Sequence, residues 1–339
     1  MPKAHDEIIL MSHGGGGRRT HQLLRDHILP PLDNPILRQM DDAACLDIAG
    51  AELAFTTDSY VIRPLFFPGG DIGRIAVCGT VNDLAMQGAK PLYLTLGLIL
   101  EEGLRLSDLD KIMQSLATAA REAGVQIVAG DTKVVEHGAG SGVFINTSGL
   151  GQRRPGVNTH ISNAKAGDVV LITGTIGDHG MAVLSQREGL QFQTTLVSDV
   201  APLNGLIAAL LEAVPGIHVL RDPTRGGVAA AAHDVATASQ VCVKLDETAL
   251  PVRAEVRGAC GILGLDPLTV ANEGKALVIC AAADEARALA ALRAHPLGRD
   301  TCCIGEVCAT PVSRVLLRTR IGGERLVELP LGDDLPRIC

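Results

Sequence analysis

Four aspartates in the first half of the chain lie where a predicted strand or helix meets a loop. They are Asp42, Asp58, Asp83 and Asp131. The predicted helix around Asp83, residues 71–88, is apolar on nearly all sides beyond Arg74. A carboxylate buried there is costly unless it is paired or binds a cation. Any one of the four is equally consistent with a turn or cap, but together they predict Mg²⁺ ligands beside a nucleotide triphosphate.

Phosphate groups would need donors besides the metal, and the sequence offers two glycine-rich candidates. A P-loop is excluded because no Gly-x-x-x-x-Gly-Lys-Ser/Thr stretch is present. The first candidate, residues 12–19, reads Ser-His-Gly-Gly-Gly-Gly-Arg-Arg, and the second is residues 174–180. Backbone N–H groups in such segments can bind phosphate. A flexible arm and a simple helix-entry turn, respectively, are the alternatives.

Two further polar groups lie at the mouths of predicted strands, where a cleft is expected. Lys133 follows Asp131 and Thr132, and Glu273 precedes Lys275 and a buried strand. Either residue could instead be an ordinary surface residue. A lysine at such a site can steady a phosphate, and a carboxylate can accept a proton.

The sequence ends on a thiol, Cys339, with no residue after it. Such a sulfur suits a mobile carrier of a covalently bound group, although terminal residues are often uninformative. Most other cysteines lie in apolar segments and are expected to be small buried hydrophobes. Cys302, Cys303 and Cys308 are close in sequence, but their spacing does not favour a zinc site.

Composition bounds the class of protein. The chain has 339 residues, 47% hydrophobic residues and a net charge of −8, which favours about two folded domains. Two Tyr, no Trp and no dense basic stripe argue against binding to nucleic acid. The longest strongly apolar segment, residues 91–100, is too short to span a membrane, and no secretory signal is visible. The expected location is the cytoplasm.

Strand-like and helix-like segments alternate from about residue 40, which predicts a mixed α/β, or α+β, fold of two domains. The predicted organisation is a glycine-rich arm over residues 1–38, a first domain over 39–155, a second over 156–322 and a mobile tail over 323–339. The helix predicted over residues 107–123 has Ser107 as its expected N-cap.

Eight short motifs, taken in order, resemble one known family. They are His13-Gly-Gly-Gly-Gly17, Thr57-Asp-Ser-Tyr-Val61, Cys78-Gly-Thr-Val-Asn-Asp-Leu84, Gly130-Asp-Thr-Lys-Val-Val135, Gly177-Asp-His-Gly180, Arg221-Asp-Pro-Thr-Arg-Gly-Gly227, Ala271-Asn-Glu-Gly-Lys275 and the terminal Pro-Arg-Ile-Cys339. The family is HypE, the carbamoyl dehydratases of [NiFe]-hydrogenase maturation, in the PurM-like superfamily of aminoimidazole ribonucleotide synthetase. The glycine motifs are shared across the superfamily, and the terminal motif is the discriminating one.

The resemblance implies a two-domain PurM-like fold whose N-terminal sheets pair across a homodimer interface, with ATP and Mg²⁺ in a cleft between the domains. It implies that a HypF-type carbamoyltransferase loads Cys339, that ATP-dependent dehydration gives a thiocyanate, and that the cyanide passes to a HypC–HypD scaffold. The implied nucleotide-binding residues are His13, Gly14, Gly16, Gly17, Asp42, Asp58, Asn82, Asp83, Asp131, Thr132, Asp222 and Arg225. The expected catalytic residues are Cys339, Lys133 and Glu273, and whether Lys133 or Glu273 is the final base stays open.

Two other functions are compatible with parts of the sequence. A non-catalytic thiol carrier or metal scaffold would use Cys339 and leave the aspartates without a role. A small-molecule kinase or synthetase, acting for example in selenophosphate or thiamine-phosphate chemistry, would leave Cys339 without one.

Overall fold

The structure is a computed structural model that describes residues 9–32, 34–138, 140–187 and 196–329. Its α-helices are α1 Arg18–Leu23, α2 Ile72–Met86, α3 Leu106–Ala123, α4 Asp178–Arg187, α5 Asn204–Ala213, α6 Gly227–Ala238, α7 Ala254–Leu263 and α8 Glu285–Ala294. Its strands are β1 Ala44–Ile48, β2 Ala51–Tyr60, β3 Phe66–Phe67, β4 Gly70–Asp71, β5 Ala89–Glu101, β6 Gln126–Val135, β7 Val143–Arg153, β8 Asp168–Ile172, β9 Val219–Arg221, β10 Cys242–Asp246, β11 Leu277–Ala281, β12 Cys302–Cys308, β13 Arg314–Arg318 and β14 Glu324–Leu326.

The first domain is built on a five-stranded sheet with the order β1-β2-β7-β5-β6. All neighbours are antiparallel except β5 and β6, which are parallel and are connected through α3. Strand β6 forms one edge of this sheet, and all but its last residue are exposed. Apolar side chains on it, including Val128 and Val134, therefore contact water in the single chain.

The second domain is built on a seven-stranded sheet with the order β14-β13-β10-β12-β8-β11-β9. Strands β10 and β13 are parallel, and the other neighbours are antiparallel. Helix α6 packs with one apolar cluster of this domain, and α5 and α8 pack with another. The predicted mixed α/β architecture in two successive domains is confirmed.

Helix α2 joins the two domains. Asp71 begins it, because the Asp71 carboxylate accepts hydrogen bonds from the backbone N–H groups of Gly73 and Arg74. Nearly every residue of α2 is buried, as its lack of a polar face predicts. The helix contacts α3 and four strands of the first domain, and also α5 and β9 of the second. A side chain near the end of α2 therefore faces the domain junction.

Several local expectations were wrong. Helix α3 begins one residue earlier than predicted, so the N-cap position is Arg105 and not Ser107. Asp58 and Asp131 lie inside β2 and β6 rather than after a strand. A short strand, β14, continues the second sheet past residue 322, within the part of the chain predicted to be a mobile tail. Among the described residues, no helix is long and apolar enough to cross a membrane.

Candidate active site

Three carboxylates from both domains converge at the junction. They belong to Asp42, which precedes β1, to Asp83 on α2 and to Asp222, which follows β9. One oxygen of each lies within 4.8 Å of the other two. Over the described ranges, this is the one group of three or more His, Cys, Asp or Glu side chains close enough to share a metal ion. We call it the carboxylate cluster.

Two oxygens of the carboxylate cluster lack a hydrogen-bond donor. Asp42 Oδ2 and Asp222 Oδ2 are buried and have no hydrogen-bond partner. An unpaired buried acceptor costs roughly 1–3 kcal/mol. A divalent cation would remove that cost, and carboxylate oxygens are the ligands that Mg²⁺ prefers. The residues present therefore fit a bound Mg²⁺ ion.

The electrostatics of the cluster also favour a cation. Burial raises the pKa of the Asp83 carboxyl well above its usual range, and the negative charge of Asp58 raises it further. Burial likewise raises the pKa of Asp42, which the Arg221 guanidinium opposes. The pKa of Asp222 is raised to about 6, first by burial. Each shift means that the site holds too little positive charge to keep its carboxylates ionised at no cost.

Arg221 provides part of that charge. Its guanidinium donates a hydrogen bond from Nη1 to Asp42 Oδ1 and a second, from Nη2, to Asp234 Oδ2 at 2.8 Å. Nη1 also lies 3.8 Å from Asp41 Oδ1. One arginine thus faces three carboxylates, so the acidic group remains underneutralised.

Strand β2 lies beside the cluster and contributes two of its neighbours. The Thr56 hydroxyl donates to Asp83 Oδ2 at 2.8 Å, and the Tyr60 hydroxyl donates to Asp58 Oδ2 at 3.1 Å. Thr56, Asp58 and Tyr60 are every second residue of β2, so their side chains lie on the same face of the strand, the one that faces α2. Asp58 is close enough to raise the pKa of Asp83 but is not one of the three clustered carboxylates. Its role as a metal ligand stays a prediction.

Asn82 and Glu273 bring the two domains together next to Asp83. The Asn82 side-chain amide donates to the carbonyl oxygens of Ala201 and Glu273, at 3.2 and 3.3 Å, and accepts from the Leu203 N–H at 2.7 Å. Its polar atoms are thus already engaged between the domains, and its predicted contact with nucleotide stays a prediction. Glu273 is 3% exposed, and burial raises the pKa of its carboxyl well above the usual range, with Asp222 adding to the effect. A protonation-sensitive carboxyl therefore lies at the junction.

The glycine-rich segment before α1 packs against the loop that contains Arg225. Gly16 has a φ of +74°, and a Cβ added there would lie 3.2 Å from the Arg225 Cβ and carbonyl oxygen. Gly16 also donates its N–H to the Thr20 hydroxyl at 2.9 Å. The His13 ring accepts from the Leu10 N–H at 2.9 Å. The structure thus brings Gly16 close to Arg225. The role of His13, Gly14, Gly16 and Gly17 in binding nucleotide stays a prediction.

Strand β6 places three predicted site residues on an exposed edge. Asp131, Thr132 and Lys133 are exposed, and Lys133 Nζ pairs with Asp131 Oδ2 at 2.8 Å. This ion pair lowers the pKa of Asp131. The described chain does not bring Asp131 into the carboxylate cluster, so its function as a ligand in this site stays untested.

The cysteines separate into two cases. Cys339 lies outside the described residues, so its carrier role stays a prediction. Cys302 and Cys303 donate to the carbonyl oxygens of Ala249 and Gly305, at 3.7 and 3.5 Å. Within the described part of the chain, no cysteine belongs to a group that could hold a metal ion.

Sequence reasoning did not identify the complete set of residues around the junction. Asp222 was expected to contact nucleotide and not to share a cation with Asp42 and Asp83. Arg221 was named only as part of a motif, with no role of its own, and Thr56 and Asp199 were not singled out. The Arg221-Asp222 pair at the end of a strand was a usable signal, because adjacent opposite charges beside a buried strand need partners.

The two domains match family models over most of their length. Residues 40–152 match the N-terminal domain of AIR synthase related protein, and residues 165–318 match the C-terminal domain. The chain is a member of this two-domain class, and its fold is PurM-like. Within the class, the chain belongs to the HypE family of carbamoyl dehydratases, and the resemblance inferred from its motifs is confirmed.

Individual relatives support that assignment. The carbamoyl dehydratase HypE of Cupriavidus necator is 53% identical over 97% of this chain and 94% of the relative. A solved HypE–HypF complex contains a chain 51% identical, with a TM-score of 0.87, covering 91% of this chain and 99% of that one. A solved HypE in complex with ATP is 48% identical, with a TM-score of 0.83, and the match covers 98% of this chain and 100% of that one.

Proposed function

We propose that this protein uses ATP to dehydrate a carbamoyl group carried on Cys339, giving a thiocyanate that supplies cyanide for a [NiFe]-hydrogenase iron. The observation that carries the proposal is the carboxylate cluster. Its unpaired buried oxygens at Asp42 and Asp222 fit a cation of the kind that accompanies a nucleotide triphosphate. The family relationship identifies the reaction that such a site would serve.

The chemistry explains why ATP is needed. Oxide is a very poor leaving group, and transfer of the γ-phosphoryl group to the carbamoyl oxygen converts it into phosphate. The C–O bond then breaks as the C≡N bond forms. Both nitrogen-bound hydrogens leave as protons, one ending on the released phosphate and the other on a base. ADP and phosphate are the other products. The oxygen of the lost water leaves in the phosphate, and its two hydrogens leave as the two protons.

The residues at the junction would divide this work. Asp42, Asp83 and Asp222 would hold the Mg²⁺ ion, with Asp58 as a further ligand. When bound, Mg²⁺ neutralises triphosphate charge during phosphoryl transfer. Glu273 would accept a proton from the carbamoyl nitrogen, since its buried carboxyl has a raised pKa that suits a general base.

Lys133 and Asp131 would act at this site from a second subunit. They lie on the exposed edge strand β6, whose unpaired backbone groups and apolar side chains favour association with another sheet. A homodimer formed by the N-terminal sheets would cover this edge. Lys133 would then steady the transferred phosphoryl group.

Two partners besides the second subunit follow from the proposal. A HypF-type carbamoyltransferase would load Cys339, which agrees with a solved relative that is complexed with HypF. A HypC–HypD scaffold would receive the cyanide. These contacts, like the homodimer and the cytoplasmic location, belong to the proposal.

The test is to carbamoylate the chain without ATP and then to add ATP. Cyanate in mildly acidic buffer converts thiols to S-carbamoyl groups, and the C-terminal peptide is weighed before and after Mg–ATP is supplied. We expect the Cys339 peptide to lose one water only with hydrolysable ATP. Loading by a HypF-type enzyme should give the same result. A peptide that keeps its carbamoyl group with ATP, or loses water equally without it, would contradict the proposal.

A further inference from the structure

A short segment of the second domain, residues 196–203, crosses to the first domain beside Glu273. Its Ser198 N–H donates to the Pro68 carbonyl oxygen at 2.8 Å. Its Val200 carbonyl oxygen accepts from Arg74 Nε at 3.2 Å, and its Leu203 N–H donates to Asn82 Oδ1. We call these residues the strap. Its backbone is fixed by three residues of the first domain, so it is a rigid support.

Asp199 is the residue of the strap that faces the Glu273 loop. Its side chain is 3% exposed. Oδ1 accepts from the Glu273 backbone N–H at 3.0 Å, and Oδ2 lies 3.1 Å from Lys275 Nζ. One buried carboxylate therefore holds the chain on both sides of Gly274. A surface aspartate that merely solubilised the loop would show neither contact.

The loop fits the strap so closely that no side chain can separate them. A Cβ added to Gly274 would lie 1.9 Å from the Asp199 carbonyl oxygen. The Glu273 carbonyl oxygen, on the other side, accepts from Asn82 Nδ2 at 3.3 Å. The backbone that carries the Glu273 carboxyl is thus held from both domains.

The charge of Asp199 is kept at neutral pH. Burial by itself raises the pKa of its carboxyl, but the charges of Lys275 and His179 and the Glu273 N–H more than offset this, so the net shift is downward. The pKa of Glu273 is shifted upward. Neighbouring carboxyls with opposite shifts are suited to different tasks, one as a fixed charge and one as a proton acceptor.

We propose that Asp199 is a positioning residue for the dehydration step, holding the Glu273–Lys275 loop so that the Glu273 carboxyl faces the carbamoyl nitrogen. The inference rests on the proposed function, because it takes Glu273 as the base. It does not assign Asp199 a contact with substrate. Asp199 acts through the backbone N–H of Glu273 and through Lys275.

The experiment compares wild type with Asp199→Ala, Asp199→Asn and Ser198→Ala. Each chain is carbamoylated with cyanate, ATP affinity is measured, and the rate of water loss from the Cys339 peptide is followed after Mg–ATP is added. We expect Asp199→Ala to slow water loss by roughly 100-fold, because a misplacement of about 1 Å has that effect, with ATP affinity unchanged within about twofold. Asp199→Asn should lose only about tenfold, since its amide oxygen can still accept from the Glu273 N–H.

Ser198→Ala is the matched control. It removes hydrogen bonds to the His179 ring and the Val200 N–H from the same strap, and neither of these bonds involves the Glu273 loop. Water loss in this variant should stay within about threefold of wild type, because only strap packing changes. An equal loss in Ser198→Ala and Asp199→Ala would mean that strap folding, not positioning, sets the rate, and would overturn the inference.

Two further outcomes separate the inference from the proposed function. If wild type dehydrates Cys339 and both Asp199 variants match it, the inference alone fails. If wild type does not dehydrate Cys339 at all, the proposed function fails and the inference falls with it. Should Asp199→Ala not fold, Asp199→Asn decides by itself, and a wild-type rate in that variant would overturn the inference.

Discussion

Arg221 donates to one carboxylate oxygen of Asp42 while the other oxygen of Asp42 is buried without any hydrogen-bond donor. The same guanidinium also pairs with Asp234, so it neither belongs wholly to the cluster nor neutralises it. Arg221 opposes the effect of burial, which raises the pKa of Asp42, and the arrangement leaves one oxygen of Asp42 for a cation. A buried arginine is therefore part of the proposed metal site without being able to bind metal.

The first prediction concerns the role of Arg221 as a substitute for the cation. Arg221→Gln should lower the free energy of unfolding in EDTA by roughly 3–5 kcal/mol, the usual effect of removing one partner of a buried ion pair. Added Mg²⁺ should recover more stability in this variant than in wild type, because the ion replaces the missing charge. Urea unfolding with and without Mg²⁺ measures both effects.

Arg18→Gln is the control for that comparison. Arg18 pairs with Glu328 at an exposed position, and such pairs contribute at most about 1 kcal/mol. Arg221 would not substitute for a cation if Arg221→Gln lowered the free energy of unfolding no more than Arg18→Gln does. The same conclusion would follow if Mg²⁺ did not recover stability in Arg221→Gln.

The fold was largely predictable, because helices and strands follow from patterns within short segments of the sequence. Alternating apolar segments separated by glycine, proline and asparagine gave most helices and strands, and the buried position of Asp83 followed from the missing polar face of its helix. The exact ends were less accessible. Ser107 lost the N-cap position to Arg105, although serine is the better capping residue.

Site residues were predictable only where the neighbouring sequence distinguishes them. Asp42 and Asp83 were identified beside their predicted elements, but their meeting with Asp222 depends on packing β9 of the second domain against α2 of the first. Asp199 had no local signal, because its importance comes from Gly274, which is 75 positions away in sequence. Contacts across domains are set by tertiary packing, and tertiary packing cannot be inferred from local patterns in a single sequence.

The second prediction follows from the raised pKa of Asp222. Since its pKa is about 6 in the folded chain and 3.8 for an ordinary aspartate, ionisation disfavours the folded state. The stabilising contribution of the protonated Asp222 carboxyl is complete below a pH of 3.8, and it is lost as the pH rises through the folded-state pKa of about 6. Asp222→Asn should therefore stabilise the metal-free chain at neutral pH by about 3 kcal/mol, and the gain should vanish toward pH 4.

The same variant should bind Mg²⁺ more weakly, because it loses an anionic ligand. Calorimetric titration of Mg²⁺ and urea unfolding in EDTA at several pH values test the two halves separately. An Asp222→Asn chain that is less stable than wild type at neutral pH would show that Asp222 is satisfied by its neighbours and not held under charge repulsion.

The third prediction compares two glycines with different surroundings. Gly274→Ala should destabilise the chain by several kcal/mol, because its Cβ would lie 1.9 Å from the Asp199 carbonyl oxygen. Gly258, within α7, has nothing within 4 Å of an added Cβ. Gly258→Ala should stabilise the chain by about 0.5–1 kcal/mol through helix propensity. Thermal unfolding of both variants measures the contrast, and equal effects would contradict the described packing of the Glu273 loop.

The last prediction asks which subunit supplies Lys133. Lys133→Met and Asp83→Asn should each abolish dehydration of carbamoylated Cys339, the first by removing a cation near the phosphoryl group and the second by removing a metal ligand. If Lys133 serves the cluster of its partner, a mixed dimer of the two variants regains one intact site, which combines an unaltered Asp83 with an unaltered Lys133. Statistical mixing should then restore about a quarter of wild-type activity. If Lys133 serves its own subunit, both sites of the mixed dimer stay inactive and mixing restores nothing. Measuring water loss after the two variants are unfolded and refolded together distinguishes the cases, with each variant refolded alone as the reference. Restoration would also show that the exposed edge strand β6 lies within reach of a second subunit's carboxylate cluster.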